Sequence, residues 1–395
     1  MGKMKTTTFI HTADWQLGKP FAGIHDEANR VLVQRQRIEV LKRITKVAEE
    51  QHAGFVLVAG DVFDSPSATK SIVAAACSEI GKMKVPVLVI PGNHDHGGPG
   101  SLWGQEFFRK QRDDLAPNLR VLLTNEPVEL ANAVVLPCPL LRRHEPSDPT
   151  AWLRTPDGVC ANAAGKPRII LAHGSVQGFS AAGGDEEEES GGMPNQIDLS
   201  KLPEAEFDYV ALGDWHGSKQ VGPKAWYSGT PELDRFPKGA DHDPGKVLVV
   251  KAGRGVLPQV KAVATASFGW HDLAFALVDD SGIDQLKVQL ESLLQGRAAQ
   301  DLLRLELTGS LGIAAANRLA QELEHLEARL LRLKLSNRVV LAPTGEEVKQ
   351  LAGRSADPLI SQVAARLVER MGAGGNDGEI ARLALCELHA ECSRP

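Results

Sequence analysis

Between residues 6 and 90 the chain alternates short β-rich runs, apolar throughout at 55–59 and 85–90, with longer stretches whose apolar positions recur every three or four residues. Runs 6–12, 55–59 and 85–90 read as strands, and 39–51 and 68–82 as amphipathic helices. A strand that is apolar at every position has both faces buried, so strands separated by helices predict a layered α/β sheet covered on both sides. The rhythm then shortens. Runs 121–123, 128–130 and 133–136 lie at turn-like spacing, and 169–172, 209–212 and 247–251 follow, which predicts a second sheet packed on the first. Past about residue 261, strand-like runs at 270–279, 301–308 and 331–336 enclose helical runs at 283–294 and 314–330, the pattern of a small separate α/β module. Two amphipathic helices, 358–371 and 379–392, complete the pattern on either side of a glycine-rich break at 372–375. The expected division is therefore 1–262, 263–340 and 341–395.

Length and composition agree with several cores: 395 residues exceed one ordinary domain, and 43% hydrophobic with 24% charged residues is a globular balance. No apolar run approaches the roughly 20 residues of a membrane span. The first residues lead straight into a strand without a signal-peptide pattern, so a cytoplasmic location and reduced thiols are expected. The cysteines, Cys77, Cys138, Cys160, Cys386 and Cys392, are dispersed and form no zinc-ligand spacing. The stretch 178–195, with its acidic run 185–189, reads as a solvated loop or a flap near the site. The formal net charge of −6 weighs against broad electrostatic capture of a polyanion and leaves room for a local basic face.

The candidate chemistry sits just after the buried strands. His11-Thr-Ala-Asp14-Trp-Gln16 follows the first, Gly60-Asp61-Val-Phe-Asp64 the second and Pro91-Gly-Asn93-His94-Asp95 the third. His173-Gly174 follows the run 169–172, and Gly213-Asp214-Trp-His216-Gly217 the run 209–212. One aspartate at a strand end is usually a turn or a helix cap. Five strand ends carrying Asp, Asn or His, several beside glycine, point to one ligand site at the carboxyl edge of a sheet. These donors sort into two divalent-ion sites sharing one carboxylate. Paired ions clamp an in-line displacement at phosphorus, one activating water and both neutralising the phosphoryl oxygens.

In order and composition the five segments resemble the signature motifs of calcineurin-like metallophosphoesterases. The variants GDVFDS, PGNHD and YSGTPE are similar to those of SbcD-type nucleases of double-strand-break repair, over about residues 6–250. The resemblance implies an α/β fold of four layers, two packed mixed sheets flanked by helices, with a C-terminal α/β capping module. It implies that Asp14 and His216 bind one metal, that Asp61 bridges, and that Asn93 and His173 bind the other. His94 becomes the acid that assists the leaving oxygen, oriented by Asp95, with Asp64 fixing neighbouring ligands. DNA is then the substrate. A coiled-coil ATPase of the SbcC type is the expected partner of the last helices, and a homodimer is the expected assembly.

Two positions depart from the family pattern, D-x-H in the first motif and G-H-x-H in the last. Gln16 and Asp214 stand where imidazoles are usual. If both face inward, the cluster is richer in oxygen and suits manganese or magnesium better than zinc. The bland reading is decay toward a non-catalytic subunit; a small-substrate phosphodiesterase or phosphatase is the other enzymatic reading. Among basic residues, Arg142 and Arg143 read as a phosphate grip or a plain surface cluster. Lys19, Arg30, Arg35 and Arg37 read as a solvated helix face or a DNA-facing ridge. Trp15 and Trp215 read as packing under the ligand loops or as base-stacking platforms. His11 reads as structural.

Overall fold

The computed structural model describes residues 6–155, 165–176, 194–237, 239, 242–341, 345–353, 357–372 and 375–393. The acidic run 185–189 lies outside them. The chain divides into two compact units, Met1–Phe268 and Gly269–Pro395.

The first unit holds two six-stranded sheets. In one, Thr6–Thr12, Val56–Ala59, Val87–Ile90 and Leu119–Val121 run parallel, and Lys246–Gly253 and Gln259–Ala264 continue antiparallel from Thr6–Thr12. In the other, Val134–Cys138, Arg168–His173, Tyr209–Gly213 and Ala225–Tyr227 run parallel, with Val128–Glu129 and Lys219–Gly222 as antiparallel edges. Side chains alternate across each strand. Val56 and Val58 face a core shared with Val40, Leu41 and Ile44 of helix Glu27–Glu50 and Val73 of helix Lys70–Ile80. Leu57 and Ala59 face the layer between the sheets, with Phe9, Leu88, Ile90, Ile169, Leu171 and Tyr209. The outer face of the second sheet packs Ile170, Ala172, Val210 and Leu212 against Leu153, Leu202 and Phe207, which come from short helical turns and loops. Both faces of both sheets are thus covered, which is why strands such as Val56–Ala59 and Val87–Ile90 are apolar throughout.

One buried histidine fastens the two sheets. His11 accepts from the Tyr209 hydroxyl at Nδ1 (2.9 Å) and donates from Nε2 to the Leu212 carbonyl (3.1 Å). Burial holds its pKa down at about 3, so the ring stays neutral.

The helix expected at 39–51 begins at Glu27, where the Asp26 carboxylate accepts from the Asn29 N–H at 2.7 Å. In its first turns Val31, Leu32 and Val33 stand in one run and only Val33 is buried, so the periodic signal starts late. The strand expected at 331–336 runs on as Arg332–Leu341, and helix Glu106–Leu115, which buries only Phe108, escaped the pattern reading.

In the second unit, Gly269–Leu277, Asp301–Leu311 and Arg332–Leu341 form a parallel three-stranded sheet, with helices Gly282–Leu294 and Ile313–Arg329 supplying its core. Helices Gly345–Ala352, Pro358–Met371 and Gly375–Ser393 bury Leu351, Ala364 and Leu385 with Ile313. No helix among the described residues is long and apolar enough to cross a membrane.

Candidate metal centre

Parallel strands end at a common edge, and the loops leaving them run on side by side. Asp14 N–H donates to Gly60 O (3.1 Å), Gln16 N–H to Asp61 O (2.9 Å) and Leu17 N–H to Val62 O (2.8 Å). This extended ladder sets the carboxylates of Asp14 and Asp61 next to each other. The turn demands left-handed backbone at Asp14 (φ 52°), Gln16 (φ 42°), Asp61 (φ 53°) and Asp214 (φ 104°), a conformation costly for residues other than glycine. Gly60 (φ 90°) has no room for a side chain: a Cβ there would lie 2.2 Å from His173 Nδ1. The glycine lets the second sheet deliver His173 against the first.

Ligand atoms of Asp14, Asp61 and His173, all buried, lie within 4.8 Å of one another, a set able to hold a metal ion. His173 Nδ1–H donates to the Ala59 carbonyl at 2.7 Å, which turns Nε2 toward Asn93 Oδ1 (3.0 Å), Asp61 Oδ1 (3.7 Å) and Asp214 Oδ1 (3.8 Å). Ser175 Oγ donates to Asp214 Oδ2 at 2.7 Å, and the Asp214 N–H donates to Asp14 Oδ1 at 3.1 Å. Asn93, Asp61, Asp214 and Asp14 therefore surround one imidazole.

The charges around that imidazole are out of balance. Burial, with Asp61 and Asp214 nearby, raises the Asp14 pKa well above the carboxylate range, although His173 opposes the shift. Burial also works against charge on His173, yet Asp61, Asp14 and Asp214 outweigh it and push its pKa up to about 9. Protons are being drawn to a place that lacks positive charge. A divalent cation would supply that charge, and the donors are those such an ion takes, carboxylate and amide oxygens with one imidazole nitrogen. The residues fit the group the fold implies.

His94 sits beside this cluster. Its N–H donates to Asp61 Oδ1 at 3.0 Å, and its Nδ1–H donates to the Asp64 carbonyl at 2.8 Å, so Nε2 is the ring atom left to act. The expected orienting role of Asp95 is not what the geometry shows. The Asp95 carboxylate accepts from Gly92 N–H (2.8 Å) and Phe63 N–H (3.1 Å), fixing the second and third loops to each other, and the Asp64 main chain orients the His94 ring. Burial, reinforced by Asp61, pushes the Asp95 pKa up to about 7. The Asp64 side chain faces Lys19 at 3.9 Å.

Gln16 and His216 lie on another side, both buried, with Gln16 Nε2 and His216 Nε2 3.3 Å apart. Lys19 Nζ donates to Gln16 Oε1 at 2.7 Å and pairs with Asp234 Oδ2 at 3.0 Å; Asp234 Oδ2 also lies 3.0 Å from His216 Nδ1. Burial opposes the charge of Asp234, but His216, Lys19 and Arg235 hold its pKa well below the usual range, while burial lowers that of His216.

Several supporting residues had no motif to announce them. Arg37 is 1% exposed and donates to the carbonyls of Trp15 (2.8 Å), Asp14 (2.9 Å) and Glu232 (2.6 Å) and to Thr230 Oγ1 (3.1 Å). It is neither a solvated face nor a DNA-facing ridge; it braces the first metal loop from behind. Thr230 Oγ1 itself donates to the Asp14 carbonyl at 2.9 Å, so the segment around the YSGTPE run buttresses that loop. Trp15, fully buried with Nε1–H donating to Thr12 Oγ1 at 2.9 Å, is packing and cannot stack on a base. Arg142 and Arg143 are exposed, in a loop tied to the third motif by Gly97 N–H to Leu140 O at 2.8 Å.

The two sheets and the donors at their shared edge define a metal-dependent phosphoesterase. The chain belongs to the calcineurin-like phosphoesterase family, whose model matches residues 7–218. Among solved structures it is similar to a dimetal phosphatase from Danio rerio, at 15% identity and a TM-score of 0.40, over 65% of this chain and 98% of that one.

Proposed function

We propose that this phosphoesterase is a phosphodiesterase that cleaves DNA, an SbcD-type exo- or endonuclease in repair, using two divalent ions, manganese or magnesium. The observation that carries the reading is the convergence of Asp14, Asp61 and His173 beside a histidine whose Nε2 is left to act. Asp61, Asn93, His173 and Asp214 would hold one ion; Asp14, Gln16, Asp61 and His216 would hold the other. Bound there, the ions supply Lewis acidity that lowers the pKa of water and offsets the charge of the phosphoryl oxygens. His94, fixed through the Asp64 carbonyl and Asp61, delivers a proton from Nε2 to the departing oxygen.

DNA is favoured over a small substrate by the SbcD-like form of the motifs and by the second unit, which a small soluble phosphate ester does not need. Leu359, Val363, Ile380 and Leu383 are exposed apolar side chains on the last two long helices, which supports a protein partner there, an SbcC-like ATPase. The test is a substrate panel with manganese: linear double- and single-stranded DNA, bis-p-nitrophenyl phosphate and p-nitrophenyl phosphate. Cleavage of DNA is expected. Hydrolysis of the small esters with DNA untouched would replace the nuclease reading with a small-substrate phosphodiesterase or phosphatase.

A further inference from the structure

The Gln16–His216 side of the centre satisfies its own hydrogen bonds. Lys19 Nζ lies 2.7 Å from Gln16 Oε1, Gln16 Nε2 lies 3.3 Å from His216 Nε2, and His216 Nδ1 lies 3.0 Å from Asp234 Oδ2. One placement of protons satisfies the whole run. The ammonium donates to the amide oxygen, the amide N–H donates to the Nε2 lone pair, and Nδ1–H donates to the carboxylate. Flipping the amide would set N–H groups against the ammonium. It would also require Nε2–H and leave the Nδ1 lone pair facing Asp234. Arg235 Nη2, 3.2 Å from His216 Nδ1, is held by the same carboxylate at 3.3 Å and leaves this order unchanged.

Of the donors on this side, Gln16 Oε1 and the His216 Nε2 lone pair are therefore already engaged, one of them by a cation, which leaves the Asp14 and Asp61 carboxylates. The other side differs. Among the described residues Asp61 and Asp214 pair with His173 and with no lysine or arginine. Two carboxylates there, Asp61 and Asp214, share one imidazole.

We propose that Lys19 is the built-in cation of the Gln16–His216 side, so that the chain holds one divalent ion tightly at Asp61, Asn93, His173 and Asp214 and a second only weakly. This rests on the metallophosphoesterase reading above and departs from a symmetric pair. An ion entering beside Gln16 must first displace the ammonium and then tolerate its repulsion. Lys19 has somewhere to go: it is 21% exposed and already reaches Asp234 at 3.0 Å and Asp64 at 3.9 Å. The second ion is thus admitted by movement of one side chain, and a phosphate arriving at the centre favours that movement by adding negative charge.

Equilibrium dialysis of the full chain against Mn2+, with bound manganese counted by atomic absorption, reads the two affinities without any turnover. The wild type should saturate at one ion per chain, the second requiring at least about tenfold more Mn2+, a conservative figure for a lysine charge beside a divalent ion. Lys19→Met, or Lys19→Gln should the first fail to fold, should close most of that gap by strengthening the second site. Two equally tight ions in the wild type would overturn the inference and leave the phosphoesterase reading standing. A gap unchanged in both Lys19 variants would remove Lys19 as its cause. No bound ion at all would overturn the metal-centre reading and the inference with it.

Discussion

Arg37→Met is the perturbation whose size can be worked from the structure. The guanidinium is buried and spends its donors on three carbonyls, those of Trp15, Asp14 and Glu232, and on the Thr230 hydroxyl. Hydrogen bonds from a charged donor contribute about 1.5–3 kcal/mol each, and a carbonyl left unpaired in the core costs about 1–3 kcal/mol. Methionine fills similar volume and the loop can relax, so the terms do not add in full. A loss of about 3–5 kcal/mol is expected, the range for breaking a buried charged network. Arg35→Met is the control, because the Arg35 side chain is 72% exposed and among the described residues meets Glu39 alone, at 3.6 Å; it should change stability by less than about 0.5 kcal/mol. Urea unfolding followed by tryptophan fluorescence, with chelator present to remove metal linkage, measures both; every tryptophan except Trp270 lies in the first unit. An Arg37→Met loss within 1 kcal/mol of the Arg35→Met control would refute the bracing role.

Three other perturbations bear on the fold and the centre. His11, whose pKa burial lowers from 6.5 to about 3, stays unprotonated in the native state while the unfolded chain takes up a proton as pH falls below 6.5. It should therefore cost stability at about 1.4 kcal/mol per pH unit between those values, and His11→Gln should flatten that part of a stability–pH curve. Gly60→Ala should weaken Mn2+ binding at least about tenfold in dialysis and destabilise the first unit by about 1–3 kcal/mol, since its methyl group would collide with His173; unchanged metal affinity would count against His173 as a ligand. Saturating Mn2+ at about a hundred times its Kd should add about 2.7 kcal/mol to the unfolding free energy of the first unit, whereas an unmoved thermal transition would mean that these donors bind no ion.

The strand ends were legible because each is followed by Asp, Asn or His, beside glycine in four of the five segments, and because the runs that are buried on both faces declare a sheet. Asp14, Asp61, Asn93 and His173 are brought together as that pattern implies. The support behind them was not legible. Arg37 looks like any basic residue on a helix; three of its four partners are carbonyls, which leave no mark in the side-chain sequence, and Glu232 lies 195 positions away. Lys19 and Asp234 carry charge without spacing, so nothing linked them to Gln16 and His216 before the two loops met. Asp95 stands next to His94 in sequence but turns its carboxylate to the Gly92 and Phe63 N–H groups, because successive side chains on a tight loop point different ways.

The account turns on His94 acting beside a loaded metal centre, and one comparison addresses it most directly: manganese-dependent cleavage of linear DNA by the wild type and by His94→Gln, with bound manganese measured in the same preparations. The account predicts cleavage by the wild type and a loss of about 10²–10⁴-fold in the variant at equal metal content. Equal rates in the two proteins, or a metal-loaded wild type inert toward DNA, would contradict it.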